Sequence, residues 1–429
     1  MYTLYSFLLW SISLTVLPWM MIKRMIAGTP REVFRQKLGV IPQEILETMT
    51  GKPRIWVHGV SAGEVSAIHP LIRELRTQYP EACIMLSTGT ESGQKVARER
   101  VPEASVCFYF PLDISWIVKR VVRRIQPDLC IVAETELWPN FLRIVKKEGA
   151  NAMLANGRIS ERSFQRYRKT RFFWMGVLDH FDVLSMIRVQ DGERIIAMGA
   201  NPVKVFVNGN CKFDQAVFSA DPIHREEMKK LLKVEEDHKV LIAASTHEGE
   251  EEILLRVYLR IREKHPEVLL FLVPRHVERA DRVEKLCGRY GMKDVVRRSQ
   301  IDSQGRRGAR IILWDIFGEL FKLYSLGTVV FCGGSLIPRR GQNILEPAAW
   351  GKVVLYGPSM EDFADARQLL ESVGGGIGVR NESELLHWCL HLLDHPQEGR
   401  NRGEAGREIV FAQRGAARRN LELARRLLS

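Results

Sequence analysis

The chain has 429 residues, and at roughly 150 residues per domain it can build more than one core. Its 45% hydrophobic and 27% charged residues are an ordinary globular balance, which excludes disordered, collagen-like and low-complexity classes. Lys and Arg outnumber Asp and Glu by 63 to 51, a formal charge of +12 that calls for an anionic partner, while the seven scattered cysteines contain no C-x-x-C pair and argue against a disulfide framework or a zinc site.

Residues 4–22, LYSFLLWSISLTVLPWMMI, carry no charge and are followed at once by Lys23 and Arg24. That length suits a bilayer crossing, and the run lacks both the basic start and the small-residue cleavage site of a removable signal peptide. A retained N-terminal membrane-anchor helix is expected, with the basic flank and the rest of the chain in the cytoplasm. Pro18, Trp10 and Trp19 also suit a helix lying in the interface. From residue 53 onward short apolar β-rich runs alternate with helical stretches. Strands are expected over 54–60, 83–87, 106–110, 129–133, 152–156, 183–186 and 203–207. A polar, Gly-containing stretch at 208–221 interrupts the series. It resumes at 240–244, 268–273, 311–314, 328–332, 353–356 and 376–379. Nearly continuous apolar runs are what parallel strands covered on both faces require. The alternation therefore predicts an α/β fold of two consecutive Rossmann-like domains, with ligands held at the carboxyl ends of the strands in a cleft between them.

Several segments at those ends carry chemistry. Glu64 follows the first strand in HGVSAGE (58–64), where it suits either a general base or a first-turn helix residue favoured by the helix dipole. TGTESG (88–93) has the small residues of a phosphate loop, but a plain helix cap suits it better. Glu134 and Glu136 follow the fourth strand, and strand parity sends their side chains to opposite sides. The run 157–171, GRISERSFQRYRKTR, is either a solvated face or a grip on lipid phosphates. No recognition motif accompanies the charge, so no nucleic acid is expected. Lys212 stands at the proposed linker. In the second half Arg275 and His276 end a strand where a phosphate would sit. The glycines 333–334 and 341, with Glu346 a turn into a helix, suit backbone donors for a phosphate and a carboxylate for ribose. His387, His391 and His395 lack the neighbours of a metal site, and no metal is expected.

In chain order the motifs HGVSAGE (58–64), PLD (111–113), AETELWPN (133–140), NGRISERS (156–163), GNCKFD (209–214), ASTHEGEEE (244–252), PRH (274–276), GELFKLY (318–324), GGSL (333–336) and GQNILEPAAWG (341–351) resemble the 3-deoxy-D-manno-octulosonic acid (Kdo) transferases of lipopolysaccharide assembly. The resemblance implies a GT-B glycosyltransferase at the cytoplasmic face of a bacterial inner membrane. It also implies metal-independent, inverting transfer of Kdo from CMP-Kdo to the lipid A precursor, lipid IVA, with no cofactor beyond the donor substrate. By the same resemblance Glu64 is the general base and Glu134 and Lys212 support the transition state. Arg275, His276, Gly318, Glu319, Leu320, Asn343, Ile344, Leu345 and Glu346 would contact CMP. Ala62 departs from a common valine, and Arg340 and Gln342 occupy a loop that is often Gly-Gly-His-Asn, which leaves the contacts of that loop open.

The resulting organisation is an anchor at 1–27, an acceptor-binding Rossmann-like domain at 28–210 and a linker at 211–221. A CMP-Kdo-binding domain follows at 222–429, with the last helix free to pack back on the N-terminal domain. The partners are CMP-Kdo, the lipid A precursor and the anionic membrane surface. The rival readings are a GT-B transferase using another nucleotide sugar and a non-catalytic module that docks on anionic lipid.

Overall fold

The computed structural model describes residues 5, 9, 11 and 31–429, apart from 219, 220, 236 and 307. The chain forms two compact units, Met1–Gln215 with Gly415–Ser429, and Ala216–Arg414. In the first unit the strands are β1 (Arg54–His58), β2 (Cys83–Thr88), β3 (Val106–Tyr109), β4 (Leu129–Ala133), β5 (Asn151–Gly157), β6 (Val183–Met186) and β7 (Val205–Val207). They form a parallel sheet in the order β3-β2-β1-β4-β5-β6-β7. Alternate residues of these strands enter separate cores. Trp56, Met85, Cys130 and Val132 join one, and Ile55, Val57, Ile84, Leu86 and Ile131 the other. Two buried faces explain why the strands read as unbroken apolar runs. The helix Ser115–Ile125 shows the complementary pattern, burying Ile117, Val118, Val121, Val122 and Ile125 on a single stripe.

The second unit holds β8 (Val240–Thr246), β9 (Leu269–Pro274), β10 (Val295–Arg297), β11 (Ile311–Leu313), β12 (Val329–Cys332), β13 (Val354–Tyr356) and β14 (Gly376–Gly378). Its parallel order is β10-β11-β9-β8-β12-β13-β14. All expected strands are present with ends shifted by a residue or two. The additional strand β10 is an edge strand of three residues, too short to give a pattern. In both sheets the order of winding reverses once, between β1 and β4 and between β8 and β12. At such a reversal the following helices leave for opposite faces and a crevice opens at the carboxyl ends.

The segment 211–221, expected as a linker, opens on a helix, Cys211–Phe218. The chain passes from the first unit to the second within it, between Gln215 and Ala216, and the helix is anchored by burial of Cys211, Phe213 and Ala216 and by the Cys211 N–H, which donates to Asn156 Oδ1 at 2.9 Å. The last helix, Ala416–Leu428, belongs to the first unit, where Leu421, Leu423 and Ala424 enter the core with Ile55 and Val57. Of the proposed anchor only Tyr5, Leu9 and Ser11 are described; the rest of 4–22 lies outside the described residues. The Tyr5 hydroxyl donates to Asp113 Oδ2 at 3.1 Å. No helix among the described residues is long and apolar enough to cross a membrane.

Asp214 is buried and fastens the last helix, accepting the N–H groups of Gly415 at 2.7 Å and Ala417 at 3.1 Å. Removing that carboxylate strands two donors at a helix start. Asp214→Ala is expected to lower unfolding free energy by about 2 kcal/mol, measured by urea denaturation.

Candidate active site

In the first unit the crevice is lined by the segments that follow β1 and β4. Ser61 caps the helix Ala62–Gln78, and Glu64 is the third residue of that helix. Its carboxylate folds back on the turn, accepting the Val60 N–H at 2.8 Å and the Ser61 hydroxyl at 2.9 Å. Glu64 thus has the first-turn placement that the helix dipole favours, and its carboxylate is fixed in position by two donors. Burial raises its carboxyl above the usual range, opposed by the Val60 N–H; the Glu134 charge adds to the rise, while Ser61 and Lys212 lower it. Glu134 and Lys212 are therefore electrostatic neighbours of Glu64.

Glu134 stands just past β4 with φ +53°, in the left-handed region that a non-glycine residue enters only under constraint. The constraint is visible. Its N–H donates to the Ala155 carbonyl at 3.0 Å, and its carboxylate lies 3.2 Å from Lys212 Nζ. Lys212 reaches that position because Asn156, at the end of β5 with φ +56°, holds the preceding residue, Cys211. Three strand ends thus converge on one carboxylate and one ammonium. Parity had separated Glu136 from this group. The chain leaves the strand at Ala133 and turns, so alternation no longer applies, and Glu136 interacts with both Glu64 and Glu134. The cluster holds three carboxylates and one ammonium.

The segment 88–93 is a helix cap: Thr90 Oγ1 accepts the Gly93 N–H at 3.1 Å. In the exposed helix Glu161–Lys169 none of the side chains is buried. Phe172 and Met175, just beyond it, are 64% and 49% exposed.

In the second unit the reversal between β8 and β12 is closed by a residue to which the sequence reading assigned no role. Glu250 is fully buried, and its carboxylate accepts N–H groups from His247 at 3.0 Å, Gly334 at 2.6 Å, Ser335 at 3.0 Å and Leu336 at 3.0 Å. The signal lay inside the ASTHEGEEE motif, yet its four acidic residues look alike in sequence, and only Glu250 and Glu251 are buried. The expectation that the 333–336 backbone supplies phosphate donors is corrected by this contact. The Gly333 N–H is also engaged, donating to the Ala244 carbonyl at 2.8 Å. An anion here must therefore be met by groups other than the 333–336 amides. Arg275 and His276 extend exposed from the end of β9. Arg275 and Glu346 both act on the buried Tyr324, so β9, the 343–346 turn and Tyr324 meet in one place. Asn343 donates to Glu346 at 3.1 Å and accepts the Leu345 N–H at 3.1 Å, which orients the turn around Ile344. Gly318 has φ +103°, a conformation open to glycine, and Leu320 begins the short helix after it. The Glu319 side chain is committed elsewhere, accepting two bonds of 2.9 Å from Arg298. A contact from Glu319 to a ligand is left to its backbone. Arg340 likewise turns to Asp362 at 2.8 and 2.9 Å. Glu235, Asp237 and His238 are the one group of three potential metal ligands clustered among the described residues; they precede β8, at the opposite edge of the sheet.

A family profile described as 3-deoxy-D-manno-octulosonic-acid transferase (kdotransferase) matches residues 32–215. The chain is 34% identical over 375 residues to the 3-deoxy-D-manno-octulosonic acid transferase of Haemophilus influenzae, covering 86% of each. It is 30% identical over 388 residues to that of Chlamydophila psittaci, covering 89% of this chain and 86% of the other. Among solved structures, UDP-GlcNAc 2-epimerase from Neisseria meningitidis aligns with a TM-score of 0.58 at 12% identity, over 86% of this chain and 99% of that one. A glycosyltransferase from Rickettsia africae aligns at 0.55 and 14% identity, over 88% and 99%. At these identities the two structures share the fold alone, two α/β units of the GT-B kind.

Burial pushes the Glu136 carboxyl from 4.5 up to about 7, helped by the charges of Glu64 and Glu134. A carboxyl that binds its proton more tightly in the folded state contributes stability below pH 4.5 that is lost as pH rises through about 7. Glu136→Gln cannot titrate. Across that window it should lose about 1–2 kcal/mol less stability than the native chain, read from urea unfolding at stepped pH.

Proposed function

We infer, from the premise that this chain belongs to the 3-deoxy-D-manno-octulosonic acid (Kdo) transferase family, that it is a glycosyltransferase of lipopolysaccharide synthesis that moves Kdo from CMP-Kdo to the lipid A precursor, lipid IVA. The observation that carries the mechanism is the meeting of Glu64, Glu134 and Lys212 at the carboxyl ends of β1, β4 and β5. In this reading an acceptor hydroxyl attacks the anomeric carbon from the face opposite CMP. The new carbon–oxygen bond forms as the bond to the phosphate oxygen breaks, which inverts the centre. Glu64 takes the hydroxyl proton, a task helped by burial, which raises its carboxyl above the usual range. The Glu134–Lys212 pair holds the local charge steady while the proton moves. Arg275 and His276 receive the negative charge gathering on the departing CMP, with Glu346 at the ribose and Gly318, Glu319, Leu320, Asn343, Ile344 and Leu345 around the nucleotide.

The acceptor is a bisphosphorylated lipid, and the surface supports that choice. Exposed Arg162 and Arg166 are followed in the chain by exposed Phe172 and Met175, a basic and apolar combination suited to lipid headgroups at an anionic leaflet. The proposal keeps residues 1–22 as a tether on the cytoplasmic face of the inner membrane and gives them no part in the chemical step.

Glu64→Gln keeps size and hydrogen bonding but cannot accept a proton. Turnover should fall by roughly 10²–10⁴-fold with CMP affinity and melting temperature unchanged, measured by product mass spectrometry and calorimetry; near-native turnover would exclude Glu64 as the base. A parallel titration with UDP tests the nucleotide assignment. Charge reversal at Arg162 and Arg166 should raise KM for the lipid acceptor more than for CMP-Kdo in steady-state assays, and added salt should mimic the change.

A further inference from the structure

The carboxyl edge of the second sheet carries more uncompensated positive charge than one phosphate requires. Four arginines gather there, and they divide into two kinds. Arg279 is paired with Glu251 at 2.7 and 3.2 Å, and Arg340 with Asp362. Arg275 and Arg339 form no ion pair with a carboxylate among the described residues. Between them lies His247, fixed through its backbone N–H to the buried Glu250. Its ring stands edge-to-face to His276 with centroids 5.9 Å apart, and its Nε2 is 3.5 Å from Gln342 Nε2. Gly334, at φ +65°, lies against this ring: a Cβ there would sit 3.3 Å from both His247 Cδ2 and Gln342 Nε2. Burial, then His276, Arg339, Arg275 and Arg279, lower the His247 imidazole to about 4, so it is neutral at pH 7 and offers an N–H rather than a charge.

Glu346 and Arg275 both act on Tyr324, while His247 neighbours His276 and Gln342 and feels the charges of Arg339, Arg275 and Arg279. We propose that His247, Arg339 and Gln342 form a second anion subsite, beside the Arg275–His276 phosphate position, which takes the carboxylate of the donor sugar. This rests on the reading of the donor as CMP-Kdo, a sugar whose anomeric carbon carries both the phosphate and a carboxylate. A donor with two neighbouring anions can meet both arginines that lack an ion-pair partner among the described residues, whereas a nucleotide with one anionic group meets the phosphate position alone.

The two subsites are separated by comparing CMP, which lacks the sugar carboxylate, with CMP-Kdo. For Arg339→Gln, steady-state assays should give a KM for CMP-Kdo raised about tenfold, while the inhibition constant of CMP stays within about twofold. Arg339→Lys should recover part of the loss. His247→Asn should shift the same ratio in the same direction, and melting curves establish that both variants are folded. Equal losses for CMP and CMP-Kdo would overturn the subsite by moving these residues to the phosphate, and so would an unchanged KM. Native enzyme that neither binds CMP nor turns over CMP-Kdo would instead overturn the donor assignment, and the subsite with it.

Discussion

A parallel sheet cannot return its chain in a tight turn, and everything chemical in this protein follows from that constraint. Each strand must be followed by a crossover, so every segment free to carry function emerges at the carboxyl edge. Where the winding reverses, neighbouring strands send their helices to opposite faces and leave an uncovered crevice. Both units reverse once, at β1/β4 and β8/β12. Glu64 and Glu134 follow the strands of the first reversal, and Glu250 and the 333–336 loop follow those of the second. Lys212 enters from the next strand end through Asn156.

Buried acceptors fix the loops and helix starts of both units, and at the β8/β12 reversal one of them ties together the two loops that line the crevice. Asp113 collects the N–H groups of Asn140 and Phe141, Asp214 those of the last helix, and Glu250 four amides from two loops. A desolvated carboxylate is costly alone and stable when its lone pairs are filled, so each of these residues fixes the loops it touches. At Glu250 the arrangement also decides the chemistry of the site. The glycine-rich loop has no amide left between 333 and 336 for a ligand, so an anion there must be met by other groups, with Arg275 and His276 exposed nearby.

Strand positions were legible because burial on both faces turns each strand into an apolar run bounded by polar residues, and only the three-residue edge strand Val295–Arg297 gave no signal. Motif order, which carries information that periodicity lacks, singles out Glu64, Glu134 and Lys212, and these three lie together in the structure. What could not be read was how the chain behaves after a strand stops. Glu136 joins Glu64 because the turn at Glu134 breaks the alternation that strand parity assumes. The Gly-rich loop looked like a phosphate cradle because its partner, Glu250, lies 84 residues from Gly334 in sequence. The passage between the units does fall within 211–221, but its helical form is not legible there, because the helix Cys211–Phe218 takes its support from Asn156, a tertiary contact.

The return of the last helix to the first unit makes Ala216–Arg414 an insertion within a discontinuous unit rather than a terminal domain. Two covalent crossings join the units, so a single proteolytic nick at either one leaves the pieces tied through the other. After cuts at both, residues 415–429 would still be held to the first unit by Asp214, by Arg419 on the Asn208 carbonyl at 2.7 Å and by Asn151 on the Leu427 carbonyl at 2.6 Å. The second unit has its own contiguous ends for separate expression, whereas the first can be made as one chain only by bridging residues 215 and 415.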